Sequence, residues 1–110
     1  MVAFSEVAPV ALMLGAGDLL RSWVLSTLAG LAAADEQHER LRDTLLLFLQ
    51  SGRSYKTTAE RLMLHKNTVQ YRIRKAEESL GRPVGEHQHD VELALRAAQW
   101  LGSSVLLRHS

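Results

Sequence analysis

Between Lys66 and Leu80 the chain sets a polar, basic series around the apolar residues Val69, Ile73, Ala76 and Leu80. Those four are spaced four, three and four apart, which is one face of a helix. The same period turns Lys66, Asn67, Thr68, Gln70, Tyr71, Arg74 and Lys75 outward. Ammonium and guanidinium groups donate to phosphate oxygens, amides and hydroxyls pair with base edges, and a phenol ring can lie on a sugar or base. The chemistry these types suit is non-covalent recognition of nucleic acid.

Charge supports this reading. From position 53 to 75 there are seven cations (Arg53, Lys56, Arg61, Lys66, Arg72, Arg74, Lys75) against Glu60 alone, a surplus of +6 in a chain whose formal total is +1. The remaining residues therefore carry −5. So concentrated a patch is the footprint of a polyanion site. The plainer alternative, a solvated helical face, normally mixes both signs.

A helix this short needs a partner to position it. Residues 55–63 supply one, offering Ala59 and Leu62 to a core, with the small alanine allowing a close crossing. Two short helices and a tight turn make a helix-turn-helix unit. Ser54 and Thr57 can each cap the first of them, and Glu60 stands three residues beyond Thr57 in capping-box spacing. At the second helix Asn67 and Gln70 also have capping-box spacing, so Asn67 is either a cap or a base contact. His65 caps the helix, touches a phosphate or packs. Arg72, beside the core position Ile73, lies on a flank and either pairs with an acid or reaches a phosphate.

The run TTAERLMLHKNTVQYRIRKAEESLG resembles the C-terminal helix-turn-helix domain of the PucR/CdaR family of bacterial transcription regulators. His65 to Ile73 carry the most specific part, matching the family signature H-x-N-T-hydrophobic-x-Y-R-hydrophobic. Thr58, Ala59 and Leu62 match its first helix and Gly81 its closing glycine, and the likeness spans about residues 36–102. Met63 departs from the glycine that many such units place in the turn. The resemblance implies an all-α DNA-binding domain of about four to five helices, acting in transcription regulation. It also implies a longer regulator, so the chain reads as a C-terminal piece whose effector-sensing domain is missing.

The rest of the chain is consistent with this class. One hundred and ten residues suit one domain; aromatics are 5%, prolines two and cysteines none. That composition favours helices over strands, excludes disulfides and thiolate metal sites, and makes a reducing cytoplasm the default. The apolar run Val7–Gly17 is too short to span a bilayer and lacks a basic flank; it reads as a short buried N-terminal strand. Asp18 can cap a following helix with Leu20, Trp23, Val24, Thr27, Leu28 and Leu31 on one face. Residues 1–34 are thus expected to be the tail of a preceding domain or a dimerisation segment, with an apolar surface seeking a second copy. The alternative is that they fold back on their own chain.

Ala29–Ala34 is a small-residue connection. Asp35 opens a helix with Glu36 and Glu39 in its first turn and Leu41, Leu45, Phe48 and Leu49 facing the core, until Ser51-Gly52 stops it. Gly81-Arg82-Pro83 ends the second helix of the unit, after Glu77 and Glu78 close the basic stretch. Asp90 can cap a last helix through Val91, Ala94, Leu95, Ala98 and Leu101. Residues 35–102 form the DNA-binding domain, and 103–110 a frayed tail with Leu106 and Leu107 as interface candidates.

No catalytic constellation is visible, and His87-x-His89 with Asp90 lacks a fourth metal ligand. The lone G-x-G at Gly15–Gly17 is too weak to indicate a nucleotide loop, so no cofactor is expected. The expected function is sequence-specific recognition of double-stranded DNA by a homodimer, with the helix from Lys66 in the major groove. Lys66, Thr68 and Gln70 are the base readers, Tyr71, Arg72, Arg74 and Lys75 hold phosphates, and Arg53, Lys56 and Thr57 meet the backbone on the other side. The rival reading is an interaction or oligomerisation module that has kept the fold and lost DNA binding.

Overall fold

A computed structural model describes residues 17–102 and Leu106. Its order is α1 (Gly17–Leu28), a 3-10 turn (Ala29–Ala32), α2 (Glu36–Gln50), α3 (Tyr55–Leu62), α4 (Lys66–Leu80) and α5 (Gln88–Leu101). The architecture is all-α, and among the described residues there is no strand element. The strand expected over residues 7–17 lies outside them, except that Gly17 already begins α1.

The core forms where the apolar stripes converge. Leu20, Val24 and Leu28 of α1, Leu31 of the turn, Leu45, Phe48 and Leu49 of α2, Val69, Ile73 and Leu80 of α4, and Val91 and Leu95 of α5 are all at or below 5% exposure in one cluster. α4 packs most extensively on α2, α1 on α5, and α3 on α4. The apolar face expected on α1 therefore forms, but its chain covers it from within. Leu106 likewise lies in the core at 5% exposure and is not free to meet another chain. Leu107 lies outside the described residues.

Local chemistry sets the ends of each element. Asp35 caps α2, its carboxylate accepting the His38 backbone N–H at 2.8 Å. Ser54, not Thr57, caps α3: its Oγ accepts the Thr57 N–H at 3.1 Å and donates to the Thr57 hydroxyl. α3 ends in a Schellman-type turn, with Met63 left-handed (φ 57°) and the Leu64 N–H returning to the Ala59 carbonyl at 2.9 Å. Leu64 then packs on the core while Met63 stands 90% exposed. Met63 thus takes the conformation that glycine serves best. Leu62 is only half-buried, and the inward positions of α3 are Thr58 and Ala59.

Two further expectations are corrected. Asp90 does not cap α5; the helix starts two residues earlier at Gln88, after a left-handed His87, and Asp90 sits in its first turn. Leu101 is 38% exposed and Trp100 84%, so the buried stripe of α5 ends at Ala98. Sequence period also gave no sign that Arg42 would be buried, at 7% exposure. Its Nη1 donates to the carbonyls of Leu31 and Ala33 and so ties α2 to the 3-10 turn.

Candidate nucleic-acid interface

His65 is the residue from which α4 starts. It sits at the N-cap with extended backbone, and its carbonyl accepts from the N–H groups of Thr68 and Val69, while its side chain makes no capping bond. Asn67 is therefore the second helical residue and not a cap. It is exposed, as are His65 and Lys66. That geometry leaves the Asn67 amide directed at solvent from the first turn.

Around α4 the side chains divide into three stripes. Val69, Ile73, Ala76 and Leu80 are buried. Asn67, Gln70, Tyr71, Arg74 and Glu78 are exposed, whereas Thr68, Arg72, Lys75 and Ser79 are half-buried between the two. The outward group expected from sequence period is thus split. Gln70, Tyr71 and Arg74 share the open face with Asn67, and Thr68 and Lys75 stand on its margin with Arg72.

Tyr71 is 50% exposed, and its ring organises the cations beside it. Arg74 Cζ and Lys75 Nζ each lie 5.7 Å from the ring centroid, within cation–π reach. Lys75 also pairs with Glu78 at 3.2 Å. Arg72 turns the other way, and its Nη1 donates to Thr44 Oγ1 on α2 at 3.3 Å. Glu77 serves the fold: its Oε2 accepts the Val84 N–H at 2.8 Å and pins the loop after Gly81.

The preceding helix adds Lys56, exposed in its first turn, and Arg61, exposed in its last. Arg61 contributed to the charge surplus but was not among the expected contacts. Thr57 is half-buried and committed to Ser54. Arg53 is exposed with φ 63°, and its guanidinium lies against Gly85, where a Cβ would come within 3.4 Å of Nη1. The perturbed titrating groups lie on α2 instead. Burial pulls the Arg42 guanidinium below its ordinary value, opposed by Glu39, Asp43 and Asp35. Burial and then Glu39 push the Asp43 carboxyl up, opposed by Arg42.

Two helices joined by the Met63–His65 turn, the second with its polar face free, define a helix-turn-helix domain. The chain belongs to the PucR C-terminal helix-turn-helix domain family, whose model matches residues 41–97. Over 76 residues, 69% of the chain, it is 36% identical to the purine catabolism regulatory protein of Bacillus subtilis (strain 168). Over the same length it is 33% identical to the transcriptional activator PmfR of Paenarthrobacter nicotinovorans. The matched stretch spans only 14% and 16% of those relatives. No solved structure matches the chain. The family read from His65–Ile73 is therefore the family to which the chain belongs, and the relatives are regulators by name.

Proposed function

We propose that this domain is the sequence-specific DNA-binding part of a transcription regulator and not an enzyme, with α4 entering the major groove. The observation that carries the reading is the open stripe Asn67–Gln70–Tyr71–Arg74, flanked by Lys66 and Lys75. Asn67 and Gln70 are the amides able to form bidentate bonds to adenine. Lys66 and Thr68, in the same first turn, complete the base-facing set. Arg74, Lys75 and the Tyr71 hydroxyl suit one phosphate strand; Arg53, Lys56 and His65 suit the other. Regulation of this kind takes place in the cytoplasm. Two copies reading two half-sites would give the affinity that one unit lacks, and effector sensing falls outside these residues.

The test is binding to random duplex DNA by fluorescence anisotropy across a salt series, with sedimentation on the same sample. Four cations on phosphates (Arg53, Lys56, Arg74, Lys75) give a slope of log affinity on log salt of about −3.6. In the same assay Lys75→Ala weakens binding to all sequences and flattens the slope by about one phosphate, whereas Gln70→Ala relaxes preference at one base pair. A well-folded protein that binds no duplex at low salt fits the interaction-module reading and defeats this one.

A further inference from the structure

Arg72 is the one cation of α4 whose side chain makes a hydrogen bond to another helix among the bonds of the described residues. Successive helical residues turn by about 100°, so Arg72 and Arg74 leave the buried Ile73 in opposite directions. Arg74 reaches the open face. Arg72 falls on the half-buried stripe Thr68–Arg72–Lys75–Ser79, spaced four, three and four apart. Two members of that margin meet other elements. Ser79 presents its carbonyl oxygen 3.0 Å from where a Cβ on Gly30 would sit, and Arg72 meets Thr44.

The Thr44 hydroxyl is built to receive a donor. It is 1% exposed, and its own proton goes to the Arg40 carbonyl one turn back at 2.8 Å. Its oxygen can then only accept, and a buried acceptor left unpaired is costly. Arg72 supplies that donor across the α2–α4 packing, from 28 residues away.

We propose that Arg72 is a positioning residue and not a phosphate ligand. Through Thr44 it fixes the roll of α4 on α2, and so the angle at which Asn67 and Gln70 meet the groove. This rests on the DNA-binding reading above and refines it. A guanidinium anchored at the margin has its fork directed to α2, so removing it costs sequence preference and leaves the number of neutralised phosphates unchanged.

The test uses the whole chain as Thr44→Val, Arg72→Gln, Arg72→Lys and the double variant Thr44→Val/Arg72→Gln. Each is measured on random duplex across a salt series and on a duplex selected by the wild type from a random pool. The expected result is a loss of preference for the selected duplex of about tenfold in either neutral single variant, the size of one lost base contact. The double variant should lose no more than either single, because both break the same link. Arg72→Lys, which keeps the charge but not the fork, should recover only part of the preference. Salt slopes on random duplex should stay at the wild-type value, while an Arg74→Gln reference loses about 0.9.

A fall of about 0.9 in Arg72→Gln, with Thr44→Val unchanged, would make Arg72 a phosphate ligand and overturn the proposal. Unchanged preference in both neutral variants would overturn it equally. If Thr44→Val loses its cooperative melt, Thr44→Ser decides: wild-type preference supports the link and lost preference refutes it. If the wild type binds no duplex, it is the DNA reading that fails. Amide exchange then tests the link alone, which predicts faster exchange confined to Val69–Ala76 in Arg72→Gln; exchange unchanged there refutes it.

Discussion

Glu78→Gln should tighten DNA binding, a gain from removing a residue that cannot itself hold DNA. Lys75 Nζ sits 3.2 Å from Glu78 Oε2, with the two side chains 41% and 59% exposed. An exposed pair of this kind contributes about 0.2–1 kcal/mol. If Lys75 must leave Glu78 to meet a phosphate, that energy is subtracted from binding, a factor of about 1.4–5. Glu78 also stands on the exposed stripe below Arg74, where its charge repels the same strand. Removing the charge should therefore tighten binding to random duplex by about two- to fivefold at low salt. The gain should shrink as salt shortens the Debye length to about 8 Å.

Stability separates this mechanism from a trivial one. The variant loses the ion pair but also loses an acid near the C-terminus of α4, where the macrodipole disfavours it by about 0.3–1 kcal/mol. The two terms oppose each other, so the Tm should move by no more than about 3 °C. Anisotropy titrations of wild type, Glu78→Gln and Lys75→Gln/Glu78→Gln make the comparison, because the double variant has no lysine to release. Unchanged or weaker binding by Glu78→Gln, at unchanged Tm, refutes the reasoning. It would mean that the third turn of α4 does not approach phosphates and that contact is confined to the turns around Lys66–Gln70.

Two other outcomes follow from backbone and burial. Ala29 is exposed and left-handed at φ 51°. Relief of about 1–2 kcal/mol of steric cost, less the added chain entropy of glycine, makes Ala29→Gly more stable by about 0.5–1 kcal/mol, read as a higher urea midpoint with DNA binding unchanged. Asp43 is raised above its ordinary 3.8 by burial and by Glu39. The native state then holds the proton more tightly than the unfolded chain, so this group's contribution falls as pH rises upward from 3.8 through the raised value. Asp43→Asn should flatten that limb of the stability–pH curve in urea titrations.

Much of α4 was legible because a surface helix advertises its buried stripe. Val69, Ile73, Ala76 and Leu80 follow the period, and all four are buried. Features that depend on contacts between distant residues were not legible. Period puts Arg72 on the flank and Arg74 outward, but the partner of Arg72, Thr44, lies on another helix and could not be read from it. Arg42 is a charged residue in a buried position, tolerated because the carbonyls of Leu31, in the 3-10 turn, and Ala33, just after it, receive its Nη1. The cap expected at Asp90 failed for a related reason, and the cap alternative left open at Asn67 is excluded in the same way. Asn67 with Gln70 and Asp90 before Val91 have the right spacings, but the backbone enters helical geometry earlier, at Lys66 and Gln88.

The segment before α2 shows most clearly what periodicity can and cannot settle. Its stripe from Leu20 to Leu31 was visible, but a stripe does not say what covers it. A neighbouring domain, a second copy and the same chain all satisfy an apolar face equally well. Three polar or close contacts tie residues 17–33 to their own chain. Arg82 Nη2 donates to the Thr27 carbonyl at 3.1 Å, Arg42 holds the carbonyls of Leu31 and Ala33, and Gly30 lies against the Ser79 carbonyl. Arg82 and Ser79 flank the end of α4, so the segment N-terminal to the family match at 41–97 braces the far end of the helix proposed to read DNA. The buried cluster therefore runs across residue 34, and a substitution in residues 27–33 should alter binding by the helix proposed to read DNA without changing any of its own side chains.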